Sequence, residues 1–210
     1  MKQVHIKNGS DKIVVIFCGW SCDANCFDLS DGTADFLILN DYRSPDFDVE
    51  LVKSYKQVCL FAWSLGVWAA DNYFNGVETS CAVAYNGTVS PVNDEYGIPV
   101  SVFDGTIANF SERSLYKFRR RMCGANAKTF FATLPGTSPV ALLDELVHIR
   151  NHADGHGGKV NWTVAYYGTE DKIFPAANQL SAWKKKGIAC LPAGKEHFEP
   201  EYMKSIMASI

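Results

Sequence analysis

A chain of 210 residues, 47% hydrophobic and 20% charged, is long enough for one globular domain with a sizeable core, and nothing in its composition reads as disordered. A net charge of −3 with a pI near 5.9 argues against a protein that coats nucleic acid, which would carry a strong positive excess. Residues 1–6 lack the apolar run of a cleavable leader, and no stretch approaches the roughly 18 apolar residues of a membrane span. The 7 cysteines are odd in number, and Cys18, Cys59, Cys81 and Cys190 sit inside apolar runs, so free thiols in a bacterial-type cytoplasm are expected, with no membrane or nucleic-acid partner.

From the N-terminus, residues 3–7 predict an edge strand, closed by the turn signal Asn8-Gly9-Ser10. Residues 13–17 (Ile-Val-Val-Ile-Phe) form the continuous apolar run of a strand covered on both faces. Residues 36–40 repeat that pattern, 58–63 give another strand that passes at once into a helix over 65–74, and 80–85 give the next strand. From about 105 to 156 no core strand is predicted; helical patterns over 111–122 and 139–151 suggest a small helical lid inserted between two strands. A strand over 162–167, a helix over 175–185 and a strand over 188–191 follow. Strands interleaved with helices imply right-handed crossovers and a mostly parallel sheet with helices on both faces, in a single α/β domain over 1–210.

In open α/β sheets, ligands sit at the carboxyl ends of the strands. There the strand over 58–63 meets its helix through Ala62-Trp63-Ser64-Leu65-Gly66, with Ser64 at the bend. This is the strand–turn–helix context of a nucleophile elbow, with Ala62 in place of the first glycine of G-x-S-x-G and Gly66 in place of the second. A serine at such a junction also suits plain helix capping, so the pentapeptide alone leaves both readings open.

A serine hydroxyl needs a base, and the base an orienting group. The strand over 162–167 runs into Gly168-Thr169-Glu170-Asp171-Lys172-Ile173-Phe174-Pro175, a polar turn before a proline-started helix, where an acid belongs. The strand over 188–191 runs into Pro192-Ala193-Gly194-Lys195-Glu196-His197-Phe198, a loop with one histidine. Either acid could simply stabilise the helix N-terminus, and His197 could be a surface histidine. His5 lies before the sheet proper, and His148, His152 and His156 lie in or beyond a lid helix. Taken jointly, the chain order serine, acid, histidine predicts a catalytic triad of Ser64, Asp171 and His197 on an α/β-hydrolase fold. The backbone N–H of Leu65, just after the nucleophile, and that of Trp20, in Cys18-Gly19-Trp20-Ser21 after an early strand, are the expected oxyanion donors.

Within the predicted lid, Arg113, Lys117 and Arg120 fall on one helical face beside Arg121, while Leu115, Phe118 and Met122 share another. In an acidic chain this is either a solvated face whose cations suit a helix C-terminus or a docking site for an anionic macromolecule or a phosphate-bearing substrate. Cys18, Cys22 and Cys26 recur every fourth residue, as do His148, His152 and His156, but zinc-knuckle spacing is absent and Gly155, Gly157 and Gly158 oppose one continuous helix. No metal site and no cofactor are expected, and neither glycine-rich nucleotide loop is present.

Five stretches carry a more specific resemblance: Phe61-Ala62-Trp63-Ser64-Leu65-Gly66-Val67-Trp68, Asn86-Gly87-Thr88, Tyr96-Gly97-Ile98-Pro99, Lys117-Phe118-Arg119-Arg120-Arg121-Met122-Cys123-Gly124 and Asp171-Lys172-Ile173-Phe174-Pro175-Ala176-Ala177-Asn178-Gln179. They resemble the BioG-type pimeloyl-[acyl-carrier protein] methyl ester esterases of biotin synthesis, in which the alanine at position 62 is usual. The likeness spans nearly the whole chain and is weakest before Cys18 and after Phe198. It implies hydrolysis of a methyl ester carried on acyl carrier protein, with Ser64 as nucleophile, His197 as base, Asp171 as its orienter, and Arg113, Lys117, Arg120 and Arg121 docking the acidic carrier. A general short-acyl esterase or thioesterase with the same triad, and a non-catalytic binding module that keeps the elbow for packing, are the rival readings.

Overall fold

The structure, a computed structural model, describes residues 1–29, 34–154 and 157–210. Among these, the apolar runs become the middle of a seven-stranded sheet: β1 (Lys2–Ile6), β2 (Lys12–Phe17), β3 (Asp35–Asn40), β4 (Gln57–Trp63), β5 (Cys81–Tyr85), β6 (Val164–Tyr167) and β7 (Cys190–Pro192), in the order β1-β3-β2-β4-β5-β6-β7. β1 runs antiparallel to β3, and every other neighbouring pair is parallel. Ile13, Val14, Val15, Ile16 and Phe17 are all fully buried, as are Leu60, Phe61, Ala62 and Trp63, because helices cover both faces of the central strands. The edges differ: β1 is largely exposed and β7 ends on Pro192, which has no N–H to offer a further strand.

The helices are α1 (Val49–Lys53), α2 (Leu65–Tyr73), α3 (Val100–Ala108), α4 (Glu112–Cys123), α5 (Ala127–Ala132), α6 (Pro139–His152), α7 (Ala176–Lys186) and α8 (Pro200–Ser209). α2 is wholly apolar on its first turns, with Leu65 through Asp71 buried, and it lies so close to the sheet that a Cβ on Gly66 would strike the Phe17 carbonyl oxygen and come within 2.6 Å of that of Cys18. α3 to α6 occupy the chain between β5 and β6. α4 starts on a capping box between Ser111 and Ser114, and α6 starts with the Ser138 hydroxyl accepting from Ala141 N–H ahead of Pro139.

The expected strands all form, with ends shifted by a residue or two. α3 is the main addition: it begins ahead of residue 105, in a stretch where Val100, Val102 and Gly105 weaken the helical pattern. Its first N–H is satisfied from outside the usual cap position, by the Asp94 carboxylate accepting from Val100 N–H at 2.9 Å. α8 is also additional to the expected elements; its start at Pro200 follows directly on the histidine loop.

All 7 cysteines are free thiols. Cys18 follows the end of β2, and Cys26 lies in a short 3₁₀ turn (Ala24–Cys26), so the fourfold recurrence of cysteines is not helical. His148 and His152 do stack on α6, rings 4.2 Å apart, whereas His156 lies outside the described residues. Among the described residues, no helix is long and apolar enough to cross a membrane.

Candidate active site

β4 ends at Trp63, and the chain must reverse within one residue to start α2. Ser64 makes that bend at φ 60°, ψ −128°, a conformation that L side chains rarely adopt. Two backbone bonds hold it there: Ser64 N–H donates to the Tyr85 carbonyl at 2.9 Å, and Val67 N–H donates to the Ser64 carbonyl at 3.1 Å. The close approach of Gly87 completes the clamp, since a Cβ there would strike the Ser64 carbonyl oxygen. The Ser64 hydroxyl makes no capping bond to α2. It lies 2.8 Å from His197 Nε2 instead.

The other ring nitrogen, Nδ1, lies 2.8 Å from Asp171 Oδ2. An ionised carboxylate only accepts, so Nδ1 carries the ring proton and Nε2 presents its lone pair to the Ser64 O–H. Asp171 is held by more than the histidine. Its Oδ1 accepts from the N–H groups of Ile173 at 2.7 Å and Phe174 at 3.0 Å, and its Oδ2 also accepts from Gln179 Nε2 at 3.1 Å. Glu170, the neighbouring acid, points to solvent and pairs with Lys195 at 3.1 Å. The imidazole is enclosed by Phe174, stacked nearly parallel at 6.1 Å, and by Trp63 at 5.7 Å, so that only 1% of His197 is exposed. His5 lies elsewhere, bonded to the Tyr55 hydroxyl at 3.0 Å.

Two groups that sequence reasoning passed over set the positions of the loops. Asn86, at φ 46° just beyond β5, donates from its side-chain amide to the carbonyls of His197 at 2.9 Å and Glu196 at 3.0 Å, and its Oδ1 accepts from Gly168 N–H at 2.5 Å. Trp63 Nε1 donates to the same His197 carbonyl at 3.0 Å. In sequence Asn86 shows as an Asn-Gly pair at a strand end and within one of the stretches that carry the family resemblance, and neither signal names its partner.

Among the described residues, neither the Trp20 nor the Leu65 backbone N–H has a hydrogen-bond acceptor. The Trp20 ring is a wall: its Nε1 donates to the Leu142 carbonyl at 2.9 Å and its edge meets Phe118 at 4.9 Å. A narrow apolar cavity of about 30 Å³ opens on Ser64, lined by Trp20, Leu65, Phe103, Phe118 and Leu146 among others. Trp20, Thr106, Phe118 and Arg121 also line a second groove between α3 and α4, of about 270 Å³, which Lys117 lines as well. Arg113, Lys117, Arg120 and Arg121 are all exposed on α4. Arg119 is not; it turns inward, donates from Nε to the Ser21 hydroxyl at 2.9 Å, and lies 5.9 Å from the Phe130 ring.

The family model for pimeloyl-ACP methyl esterase BioG matches residues 1–203. The chain belongs to the BioG family. A crystal structure of BioG from Haemophilus influenzae superposes with a TM-score of 0.86 at 30% identity, covering 96% of this chain and 95% of that one. A Haemophilus influenzae protein described only as uncharacterized is 32% identical over 178 residues, 82% of each chain. A malonyl-[acyl-carrier protein] O-methyltransferase from Bacteroides fragilis is 35% identical over 201 residues, which is 93% of this chain and 41% of that protein. The chain therefore spans well under half of that relative's length. A lipase-esterase related protein from Clostridium acetobutylicum, at 15% identity and a TM-score of 0.65, shares the fold. With these neighbours, the sheet and helices of this BioG-family chain have the α/β-hydrolase fold.

Proposed function

We propose that this chain is a serine carboxylesterase that hydrolyses the methyl ester of pimeloyl-[acyl-carrier protein] methyl ester, releasing methanol, in biotin synthesis in the cytoplasm. The observation that carries the reading is the unbroken relay from the Ser64 hydroxyl to His197 to Asp171, both links at 2.8 Å. Membership of the BioG family points to the substrate. The name of the Bacteroides fragilis relative describes methyl transfer on an acyl-carrier substrate, and a methyl ester made by such a transfer needs a hydrolase to remove it.

Ser64 Oγ attacks the ester carbonyl as His197 Nε2 takes its proton, and Asp171 keeps the ring in the productive tautomer and stabilises the imidazolium. The free N–H groups of Trp20 and Leu65 then donate to the carbonyl oxygen as it becomes negative. Each such donor typically lowers the barrier by about 2.7–4 kcal/mol. The tetrahedral intermediate collapses, His197 gives its proton to the departing methoxide, and methanol leaves. Water, activated by His197, attacks the acyl-enzyme and frees Ser64. The narrow cavity fits the methyl ester end, and the adjoining groove between α3 and α4 leads the carried chain outward beneath a helical lid formed by α3 to α6. Arg113, Lys117, Arg120 and Arg121 on α4 form the docking face for the acidic carrier, with Lys117 and Arg121 nearest the groove.

Purified protein incubated with the carrier-linked methyl ester is expected to release methanol, and S64A is expected to abolish release. S64A is also expected to fail to restore biotin-free growth in a strain lacking its own esterase, where the wild-type chain succeeds. Methanol release by S64A equal to wild type would sink the mechanism.

A further inference from the structure

The turn 18–22 carries the Trp20 N–H, and its geometry is not self-supporting. Ser21 sits at φ 68°, in the left-handed region, and the turn has a single internal backbone bond, from Cys22 N–H to the Gly19 carbonyl at 3.2 Å. Its position is set from outside: Cys18 N–H donates to the Leu39 carbonyl at 3.0 Å, Arg119 Nε donates to the Ser21 hydroxyl at 2.9 Å, and two further bonds bracket Trp20. On one side the Tyr42 hydroxyl donates to the Cys18 carbonyl at 2.6 Å. On the other, the Trp20 indole donates to the Leu142 carbonyl of α6 at 2.9 Å. Tyr42 itself follows Asp41, a residue at φ 65°, and its backbone N–H donates at 3.0 Å to Oε1 of Glu145. Glu145 lies on the next turn of α6 after Leu142, and only 3% of it is exposed.

We propose that Glu145 and Tyr42 are positioning residues for the reaction: Glu145 fixes Tyr42, Tyr42 fixes Cys18, and together with Leu142 on the same helix they hold the Trp20 N–H where the oxyanion forms. The proposal rests on the esterase reading, since it assigns a task to the Trp20 N–H. A carboxyl group is an expensive choice for a buried helix position, because burial disfavours its charged form and an amide or apolar side chain of similar volume packs as well. What the carboxylate adds is a stronger hydrogen bond to one backbone N–H than a neutral acceptor gives. The N–H it grips belongs to the residue whose hydroxyl reaches the oxyanion turn. Leu146, one residue on, lines the cavity at Ser64, so α6 carries the loop anchor and the pocket wall together. Pre-aimed donors matter in proportion to their placement, and small displacements of a catalytic group are costly.

The test measures kcat and KM on a small p-nitrophenyl ester, with melting temperatures, for wild type, Y42F, E145L, E145Q and Y55F. Y55F is the control: it removes a hydroxyl that donates to Asp35 at 2.5 Å, at the amino end of β3 and so at the opposite end of the parallel strands from Ser64. Y42F and E145L are expected to lower kcat about tenfold or more with KM little changed, because a misplaced oxyanion donor acts on the transition state alone. E145Q, which keeps an acceptor at the same place, is expected to recover most of that loss, and Y55F to retain wild-type kcat. The proposal is overturned if Y42F and E145L keep wild-type kcat, if Y55F falls as far as Y42F, or if E145Q is as impaired as E145L. Should E145L not fold, Y42F against Y55F decides. Wild-type protein that does not turn over the ester, and whose Ser64 resists a fluorophosphonate, marks failure of the esterase reading itself and takes this proposal with it.

Discussion

The side-chain amide of Asn86 donates to the backbone carbonyl of His197 at 2.9 Å, across a gap of 111 residues in the chain. Through its Oδ1 the same side chain holds Gly168 N–H, three residues before Asp171. The histidine loop and the acid loop are thus located by one asparagine at the end of a third strand.

Replacing Asn86 with alanine removes the side-chain partner of the buried Gly168 N–H and of the Glu196 carbonyl, and leaves the His197 carbonyl with Trp63 Nε1 alone. The expected cost is about 1–3 kcal/mol in stability for the orphaned groups. A fall in kcat of about tenfold or more should accompany it as the imidazole drifts from Ser64. N86D keeps the acceptor for Gly168 but loses both amide donors, so it should hurt kcat more than stability. Thermal melts and ester turnover check this; an N86A protein with wild-type melting and kcat contradicts the assignment.

How far the site could be read without coordinates follows from where each residue gets its signal. Ser64, Asp171 and His197 each stand just past an apolar run, so the end of a strand announces them, and their chain order matches a known sequence of roles. Asn86 also follows an apolar run and Trp63 closes one, but their partner, the His197 carbonyl, comes from another loop and meets them only when the strand order brings β4 to β7 side by side, while Gln179 lies within α7 and reaches back eight residues to Asp171. Glu145 reads in sequence as one more polar position on a helix; its burial depends on the Tyr42 loop packing against α6. α3 was illegible for a local reason, since its cap comes from Asp94, six residues upstream of the N–H it satisfies.

The elbow pentapeptide departs from G-x-S-x-G at Ala62, and the two small positions are not equivalent. Ala62 is fully buried on β4, in register with Phe17 and Ala84, and the packing there accommodates the Cβ it carries. Gly66 has none, with the Phe17 and Cys18 carbonyls against it. A62G should therefore cost only about 0.5–1 kcal/mol, chiefly through backbone entropy, and keep activity. G66A forces α2 away from β2 and should cost about 1–3 kcal/mol or more, with loss of turnover. Denaturant melts of the two variants give the comparison, and an equally stable G66A would show that the close approach is not obligatory.

Burial raises the Glu145 carboxyl to about 7, with Asp41 adding to the rise, and with the Tyr42 N–H, Arg43 and Lys2 opposing it. The Cys18 thiol and the Tyr42 hydroxyl face the same group, and burial pushes both of them well above their ordinary values. Because the folded chain holds the Glu145 proton more tightly than the unfolded chain does, stability falls as pH rises from about 4.5 and levels off above about 7. E145Q carries no charge and escapes that loss. Its melting temperature should climb relative to wild type across this window, to a gain approaching about 3 kcal/mol on the alkaline side. A difference that stays constant from acid to alkaline pH would show that Glu145 does not titrate there.

The exposed cations of α4 divide by position. Lys117 and Arg121 line the groove, whereas Arg113 and Arg120 do not. Reversing the charge at Arg113 and Arg120 should leave the turnover of a small free ester unchanged and lower kcat/KM for the carrier-linked ester, by about tenfold at low ionic strength. The deficit should shrink as salt is added, because separated surface charges are screened beyond about 8–10 Å near physiological ionic strength. The comparison is kinetic, with both substrates run at two salt concentrations on wild type and R113E/R120E. Equal losses on both esters would place the effect in folding or in the cavity, and a carrier-specific loss that ignores salt would point to shape and not charge as what the carrier reads on α4.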